Sequence, residues 1–239
     1  MEKAAYLRGF EAQLKKRTID LEPAALMRCG LYFYLLHVKN QSLNLTRLDS
    51  VKDAVDFHLS DALALKQALA QEGIMSLIDV GSGAGVPGVL MKCLLPDIRL
   101  CVLDSVKKKM DFVESAFFEM GLSESAAVSA RAEEAGHDCA HREKYDCASA
   151  RALGSQPYCL ELCAPFVRIG GVIALLRSDD DALLDPQQYR ETLGCIRENT
   201  HEYLLLGREK AFRVEIYRKI GATSVKFPRK PVQIKKRPL

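Results

Sequence analysis

Four glycines, Gly81, Gly83, Gly85 and Gly88, fall within eight positions, and a carboxylate, Asp79, stands two residues ahead of the first. Backbone this free of side chains turns tightly and can lie directly against a ligand. Asp104 follows about twenty residues on, where an acidic side chain at the tip of the next strand can accept both hydroxyls of a ribose. Arg131-Ala132-Glu133-Glu134 comes later still. A backbone amide and the Glu133 carboxylate there suit the ring nitrogens and exocyclic amine of adenine. Arg151, at the end of an apolar run, offers a planar guanidinium to a carboxylate or a phosphate.

Two cofactor classes compete for this pattern. Gly83-x-Gly85-x-x-Gly88 with Asp104 fits the dinucleotide fingerprint, so an NAD-dependent oxidoreductase is one reading. Asp79 favours the other: a carboxylate sits badly beside a pyrophosphate and well beside a cation. S-adenosyl-L-methionine carries an ammonium and a sulfonium and no phosphate. The string Asp79-Val80-Gly81-Ser82-Gly83-Ala84-Gly85 resembles the first motif of the Rossmann-like methyltransferases that use it.

His58 and Asp61 lie three apart in a helical stretch and share one face, as a hydrogen-bonded pair tying that helix to its neighbours. Lys107, Lys108 and Lys109 open a helix, an unfavourable place for three cations given the helix dipole, and an RNA phosphate or a solvated face would account for them.

The elements that position these groups are legible in the periodicity. Residues 3 to 17, 23 to 38 and about 50 to 71 read as amphipathic helices, with Pro23 suited to a first turn. The run Ile74 to Ile78 enters the glycine loop as a buried strand, and Val89-Leu90-Met91 leaves it as a helix. Strands follow at 99–103, 126–130, 145–150 and 172–176, with helices between them, the pattern of a doubly wound α/β sheet. A polar segment from Ser178 to Pro186, expected to be mobile, leads to a helix over 187–199. Alternating strands near 202–206 and 212–218 predict a closing antiparallel hairpin. The tail from Lys219, with Pro228, Pro231 and Pro238, is expected to lie extended on the surface.

At 239 residues the chain can bury a full α/β core. It contains no stretch of about eighteen apolar residues, and its start does not read as a signal peptide. The expectation is a soluble, cytoplasmic protein with no membrane partner, and a monomer. The eight cysteines are scattered without a Cys-x-x-Cys pair and read as reduced core residues, with no metal site expected. The net charge of +3 hides an asymmetry: residues 208–239 carry 11 Lys and Arg against 2 Glu, leaving 23 bases against 29 acids before them. A basic end of this kind suits a polyanion.

With these residues placed, the chain resembles the RsmG family, also called GidB. The carrying motifs are Asn44-Leu45-Thr46, His58 with Asp61, Asp79 through Gly88, Leu103-Asp104-Ser105 with Lys108-Lys109, Arg131-Ala132-Glu133, Ala150-Arg151-Ala152 and Pro228-Arg229-Lys230. It departs from the family pattern at Val86, at Arg177-Ser178, and in lacking a glycine after Pro-Arg-Lys. The resemblance implies a class I, Rossmann-like fold, a seven-stranded mostly parallel sheet with an antiparallel last hairpin. The expected division is an N-terminal helical appendage over 1–72, a cofactor-binding domain over 73–220 and a basic tail over 221–239. It also implies cofactor contacts at Gly81, Val86, Ala132, Glu133 and Arg151, beside Asp79, Gly83, Gly85 and Asp104 from the residues themselves. Its substrate would be N7 of a guanosine in the 530 loop of 16S ribosomal RNA, as naked RNA, an assembly particle or the small subunit. Arg151 is the expected catalytic residue, and Lys107, Lys108, Lys109, Arg229 and Lys230 the RNA-binding ones.

Guanine N7 carries no proton, so its methylation needs no general base, and the sequence lacks the Asn/Asp-Pro-Pro-Tyr/Phe motif of amino-group methyltransferases. Alignment alone would supply several kcal/mol. A guanine splayed from a loop is more accessible than one in an A-form helix. Besides the oxidoreductase, a non-catalytic RNA-binding ribosome-assembly factor on the same fold is an alternative.

Overall fold

Each strand of a sheet covered on both sides must be apolar on both faces. In β1 (Ser76–Val80) Leu77 belongs to one buried cluster and Ile78 and Val80 to a second across the sheet. The computed structural model describes residues 2–47, 50–178, 186–205 and 211–239. Beside β1 stand β2 (Arg99–Asp104), β3 (Ser125–Ser129), β4 (Tyr145–Arg151), β5 (Val167–Ser178), β6 (Cys195–Leu204) and β7 (Ala211–Lys219). Among the described residues they form a seven-stranded sheet of order β3-β2-β1-β4-β5-β7-β6. It is parallel from β3 through β5, with β7 antiparallel to both its neighbours. This is the Rossmann-like class I architecture with its closing hairpin. Strand order reverses at β1, so the loops leaving β1 and β4 open side by side at the carboxyl edge, where such sheets bind ligands.

Before the sheet come α1 (Lys3–Lys16), α2 (Pro23–Leu43) and a continuous helical run. That run consists of α3 (Val51–Asp53), a π-helical segment (Ala54–Leu59) and α4 (Ser60–Ala68). Pro23 takes the first turn of α2, and Asn44 ends it in the left-handed conformation at φ 49°. Asn40 then brackets the chain, accepting from the Thr46 N–H at 2.9 Å and donating to its carbonyl at 3.0 Å. α5 (Gly88–Leu94) and α6 (Lys107–Met120) lie on the same side of the sheet. Tyr6, Phe10, Tyr32, Phe33, Val89 and Phe112 join Leu77, Val102 and Ile216 in one buried cluster. Each such side chain contributes roughly 1.5–3 kcal/mol, so the N-terminal helices share the sheet's core.

The far side is covered by the short α7 (Ala132–Ala135), by α8 (Gln156–Cys163), α9 (Pro186–Thr192) and α10 (Pro231–Lys236). Two expectations are corrected here. The helix expected over 187–199 ends at Thr192, because Gly194 adopts φ +67° and residues from Cys195 pair with β7. The tail does not remain extended: Pro231 starts α10, and Ile234 is buried against the second cluster. The segment expected to be mobile falls on 179–185, outside the described residues. Seven of the eight cysteines are buried, and all are free thiols. No described helix is long and apolar enough to cross a membrane.

Candidate functional site

The glycine loop is fixed from below and open above. Gly88 donates its N–H to Asp79 Oδ2 at 2.9 Å, and a Cβ at Gly88 would lie 2.8 Å from that of Asp79. Ser149 Oγ, on β4, donates to Asp79 Oδ1 at 2.7 Å. Asp79 is fully buried, and burial lifts its pKa to about 6 against the opposing pull of these two bonds and of Arg151. Sequence reasoning set Asp79 against the cofactor's positive charge. The structure instead uses both its oxygens to tie β1, β4 and the start of α5 together, because its side chain points into the sheet's packed face. Gly85 is also interior, and a Cβ there would meet Val89 at 2.6 Å.

Above the loop two cavities share Gly81, Gly83 and Ala152. The first, of about 290 Å³, is lined by Asp104, Lys109, Arg131, Ala132 and Glu133 with Leu153, Tyr158 and Leu162. Gly83, at φ +59°, donates its N–H to Asp104 Oδ2 at 2.9 Å, and the Val106 N–H donates to Oδ1 at 2.9 Å. An ionised carboxylate has about four acceptor positions, so Asp104 holds the loop and can still accept hydroxyls from a ligand. The pKa of Tyr158 is raised, first by burial and then by the Glu133 carboxylate, and both side chains line this cavity.

The second cavity, of about 210 Å³, is lined by Leu36, Leu45, Thr46, His58, Ser82, Val86 and Arg151. His58 Nδ1 accepts from Arg151 Nη2 at 3.0 Å, which leaves the imidazole proton on Nε2. Burial and the Arg151 charge push the His58 pKa down to about 3, so the ring is neutral. His58 Nε2 and Ser82 Oγ are buried with no hydrogen-bond partner among the described residues. Orphaned donors of this kind cost about 1–3 kcal/mol each; both residues line the second cavity, and His58 also borders a smaller one beside Tyr6, Phe33 and His37.

Arg151 closes the site. Its Nη1 donates to Asp61 Oδ2 at 2.5 Å, and Tyr203 donates its hydroxyl to Asp61 Oδ1 at 2.6 Å. His58 and Asp61 do share a face, but each bonds Arg151 rather than the other, and so they tie the helical run to β4. A third cavity, of about 500 Å³, meets the second at Arg151 and Ala152. Ala152 lines all three cavities with φ +53°, a left-handed conformation costing a residue with a Cβ roughly 1 kcal/mol.

The expected RNA-binding residues divide. Lys107 pairs with Asp111 at 2.6 Å, Lys108 donates to the Leu43 carbonyl at 3.0 Å, and Lys109 lines the first cavity. Arg229 is committed to the buried Glu161, with Nη2 at 2.6 Å and Nε at 2.9 Å, while Lys230 is exposed. No cluster of three or more His, Cys, Asp or Glu that could hold a metal lies among the described residues.

The chain matches the family model described as rRNA small subunit methyltransferase G over residues 26–202. It belongs to that family. The ribosomal RNA small subunit methyltransferase G of Acetivibrio thermocellus is 32% identical over 222 residues, covering 92% of this chain and 91% of the relative. That of Pelotomaculum thermopropionicum is 35% identical over 211 residues, covering 87% and 88%. Among solved structures, Burkholderia thailandensis 1,6-didemethyltoxoflavin-N1-methyltransferase, with S-adenosylhomocysteine bound, superposes at TM-score 0.51 and 12% identity, over 80% of this chain and 89% of that one. That likeness is one of fold. In this rRNA small subunit methyltransferase G family member, the matched span takes in the helical run as well as the sheet through β6. Sequence reasoning singled out neither Ser82 nor Tyr158, and it missed Tyr203 and Phe212 of the third cavity. Ser82 stood inside the glycine motif; the two aromatics lay on strands read only for their alternation.

Proposed function

We propose that this chain uses S-adenosyl-L-methionine to methylate N7 of a guanosine in the 530 loop of 16S ribosomal RNA. The observation that carries the reading is the pair of cavities that meet at the glycine loop, one lined by Asp104 and Glu133 and the other by Ser82, His58 and Arg151. Asp104 would accept the ribose hydroxyls, and Glu133 with the Ala132 backbone would meet the adenine edge beside Tyr158. Ser82 and His58 would donate to the amino-acid carboxylate. When bound, the cofactor supplies an electrophilic methyl group on a sulfonium.

The remaining work is positional. Guanine N7 offers a lone pair without a proton, so no residue has to act as base, and His58, held neutral with its pKa near 3, is suited to donating rather than accepting. Arg151, fixed by Asp61 and His58, stands where the cavities meet and would orient the acceptor base. Fixing reactants at near-attack distance is worth several kcal/mol of barrier, up to about 10. The basic end and Lys230 would add affinity for the RNA backbone that falls with salt. We also propose 1–72 as a helical element serving the 73–220 catalytic domain, with 221–239 as its basic tail. The test is transfer of radiolabelled methyl to naked 16S ribosomal RNA, to small-subunit assembly particles and to small subunits, each lacking the modification. Label on the 530-loop guanosine in any of them supports the reading, and none in all three overturns it.

A further inference from the structure

The walls of the third cavity are unlike those of the other two. Phe57 from the π-helical segment, Tyr203 from β6 and Phe212 from β7 line it, and all three are half-buried. Tyr203 and Phe212 stand with ring centroids 6.0 Å apart and 39° between planes. Tyr203 is pinned at its hydroxyl by Asp61, which also grips Arg151. Aromatic side chains lining a cavity of about 500 Å³ offer stacking faces of the kind a flat, polarisable ligand uses. Among the described residues, the cavity meets the second one at Arg151 and Ala152.

We infer that this cavity takes the acceptor base itself, a purine splayed from single-stranded RNA, packed against Phe57, Tyr203 and Phe212 with its Hoogsteen edge toward Arg151. This deepens the proposed function and rests on it. The edge that bears N7 in guanine also bears O6, and both are acceptors. Arg151 is a donor only, so it can bond O6 while N7 remains open to the methyl group. Adenine would set its N6 amino group, another donor, against the guanidinium. Choice of guanine over adenine thus falls to the residue that Asp61 and His58 hold in place.

The experiment uses the full chain, radiolabelled S-adenosyl-L-methionine and whichever of naked 16S RNA, small-subunit assembly particles or small subunits the wild type methylates, with S-adenosylhomocysteine affinity measured by calorimetry. Phe212→Ala is expected to lower kcat/KM for RNA at least about tenfold, and Phe212→Tyr to hold it within about twofold. The affinity for S-adenosylhomocysteine should be unchanged in both, because Phe212 lines neither cofactor cavity. Should Phe212→Ala fail to fold, Phe212→Leu removes the ring while keeping apolar bulk and carries the same expectation. Wild-type RNA kinetics in the ring-less variant would overturn the base pocket while leaving the methyltransferase reading intact. Parallel loss of S-adenosylhomocysteine affinity would also overturn it, by showing a general effect on the fold. If the wild type itself transfers no methyl to naked RNA, assembly particles or small subunits, the reading of the reaction fails and the pocket assignment fails with it.

Discussion

Arg151, at the end of β4, and Asp61, on α4, form an ion pair at 2.5 Å that joins the helical region to the carboxyl edge of the sheet. The carboxylate is nearly buried, and the guanidinium is one-fifth exposed. Removing one partner of such a pair leaves the other uncompensated, at a cost of about 3 kcal/mol or more.

Arg151→Ala should therefore do two things at once. Methylation should fall by at least about a hundredfold in kcat/KM, and the melting temperature should drop. Asp61→Asn added to Arg151→Ala should recover part of the stability without recovering activity, because the stranded charge is gone and the orienting guanidinium is still missing. Full activity in a folded Arg151→Ala protein would remove the residue from the site.

Asp104 holds the Gly83 and Val106 N–H groups and faces the first cavity. Asp104→Ala should raise the Kd for S-adenosylhomocysteine by about a hundredfold, and Asp104→Asn by less, since an amide oxygen still accepts one of the loop's N–H bonds. Calorimetric titration decides this; an unchanged Kd in Asp104→Ala would show that the cavity does not hold the ribose.

Within the tail, Arg229 is committed to the fold and Lys230 is exposed. Arg229 neutralises Glu161, which is buried on α8, the helix that also supplies Tyr158 and Leu162 to the first cavity. Arg229→Ala should lower stability by about 3 kcal/mol or more, whereas Lys230→Ala should leave the melting curve alone and weaken RNA binding with a reduced salt slope. Chemical denaturation and filter binding at several salt concentrations separate the two. Equal stability of the Arg229→Ala and Lys230→Ala proteins would contradict this division.

Asp79 and His58 give opposing pH slopes. Asp79 has a folded pKa near 6, above its unfolded value, so its contribution to stability is full below about pH 4 and is lost as pH rises through 6. His58, depressed to about 3, works the other way: the unfolded chain takes up the proton first, and stability is lost as pH falls from about 6.5 toward 3. Asp79→Asn should therefore gain stability over the wild type between pH 4 and 6.5, by roughly 1–3 kcal/mol. Denaturation at a series of pH values checks the sign; a constant difference across that range would mean Asp79 does not titrate there.

The architecture was legible because its strands are short apolar runs bounded by punctuating glycines, prolines and acidic tips. The strand ending at Asp104, the glycine loop and the crossover helices all fell where periodicity placed them. The last third was harder. The helix expected over 187–199 runs through Gly194, whose left-handed φ, with the pairing of the residues after it to β7, ends the helix earlier. At the site, residue type identified Asp104, Glu133 and Arg151 as cavity-lining groups, but it could not say where a carboxylate points. Asp79 and Arg229 carry charges that the fold consumes internally, and only packing reveals that. Tyr203 and Phe212 come together with Phe57 through the sheet's hairpin, a relation across 155 positions that no local pattern encodes.

The most direct measurement is the mapping of 7-methylguanosine in 16S ribosomal RNA from cells with and without the gene for this chain. Expected is a modified guanosine in the 530 loop that disappears with the gene and returns with wild-type protein but not with Arg151→Ala. An unchanged 530-loop modification in cells lacking the gene would contradict the proposed reaction.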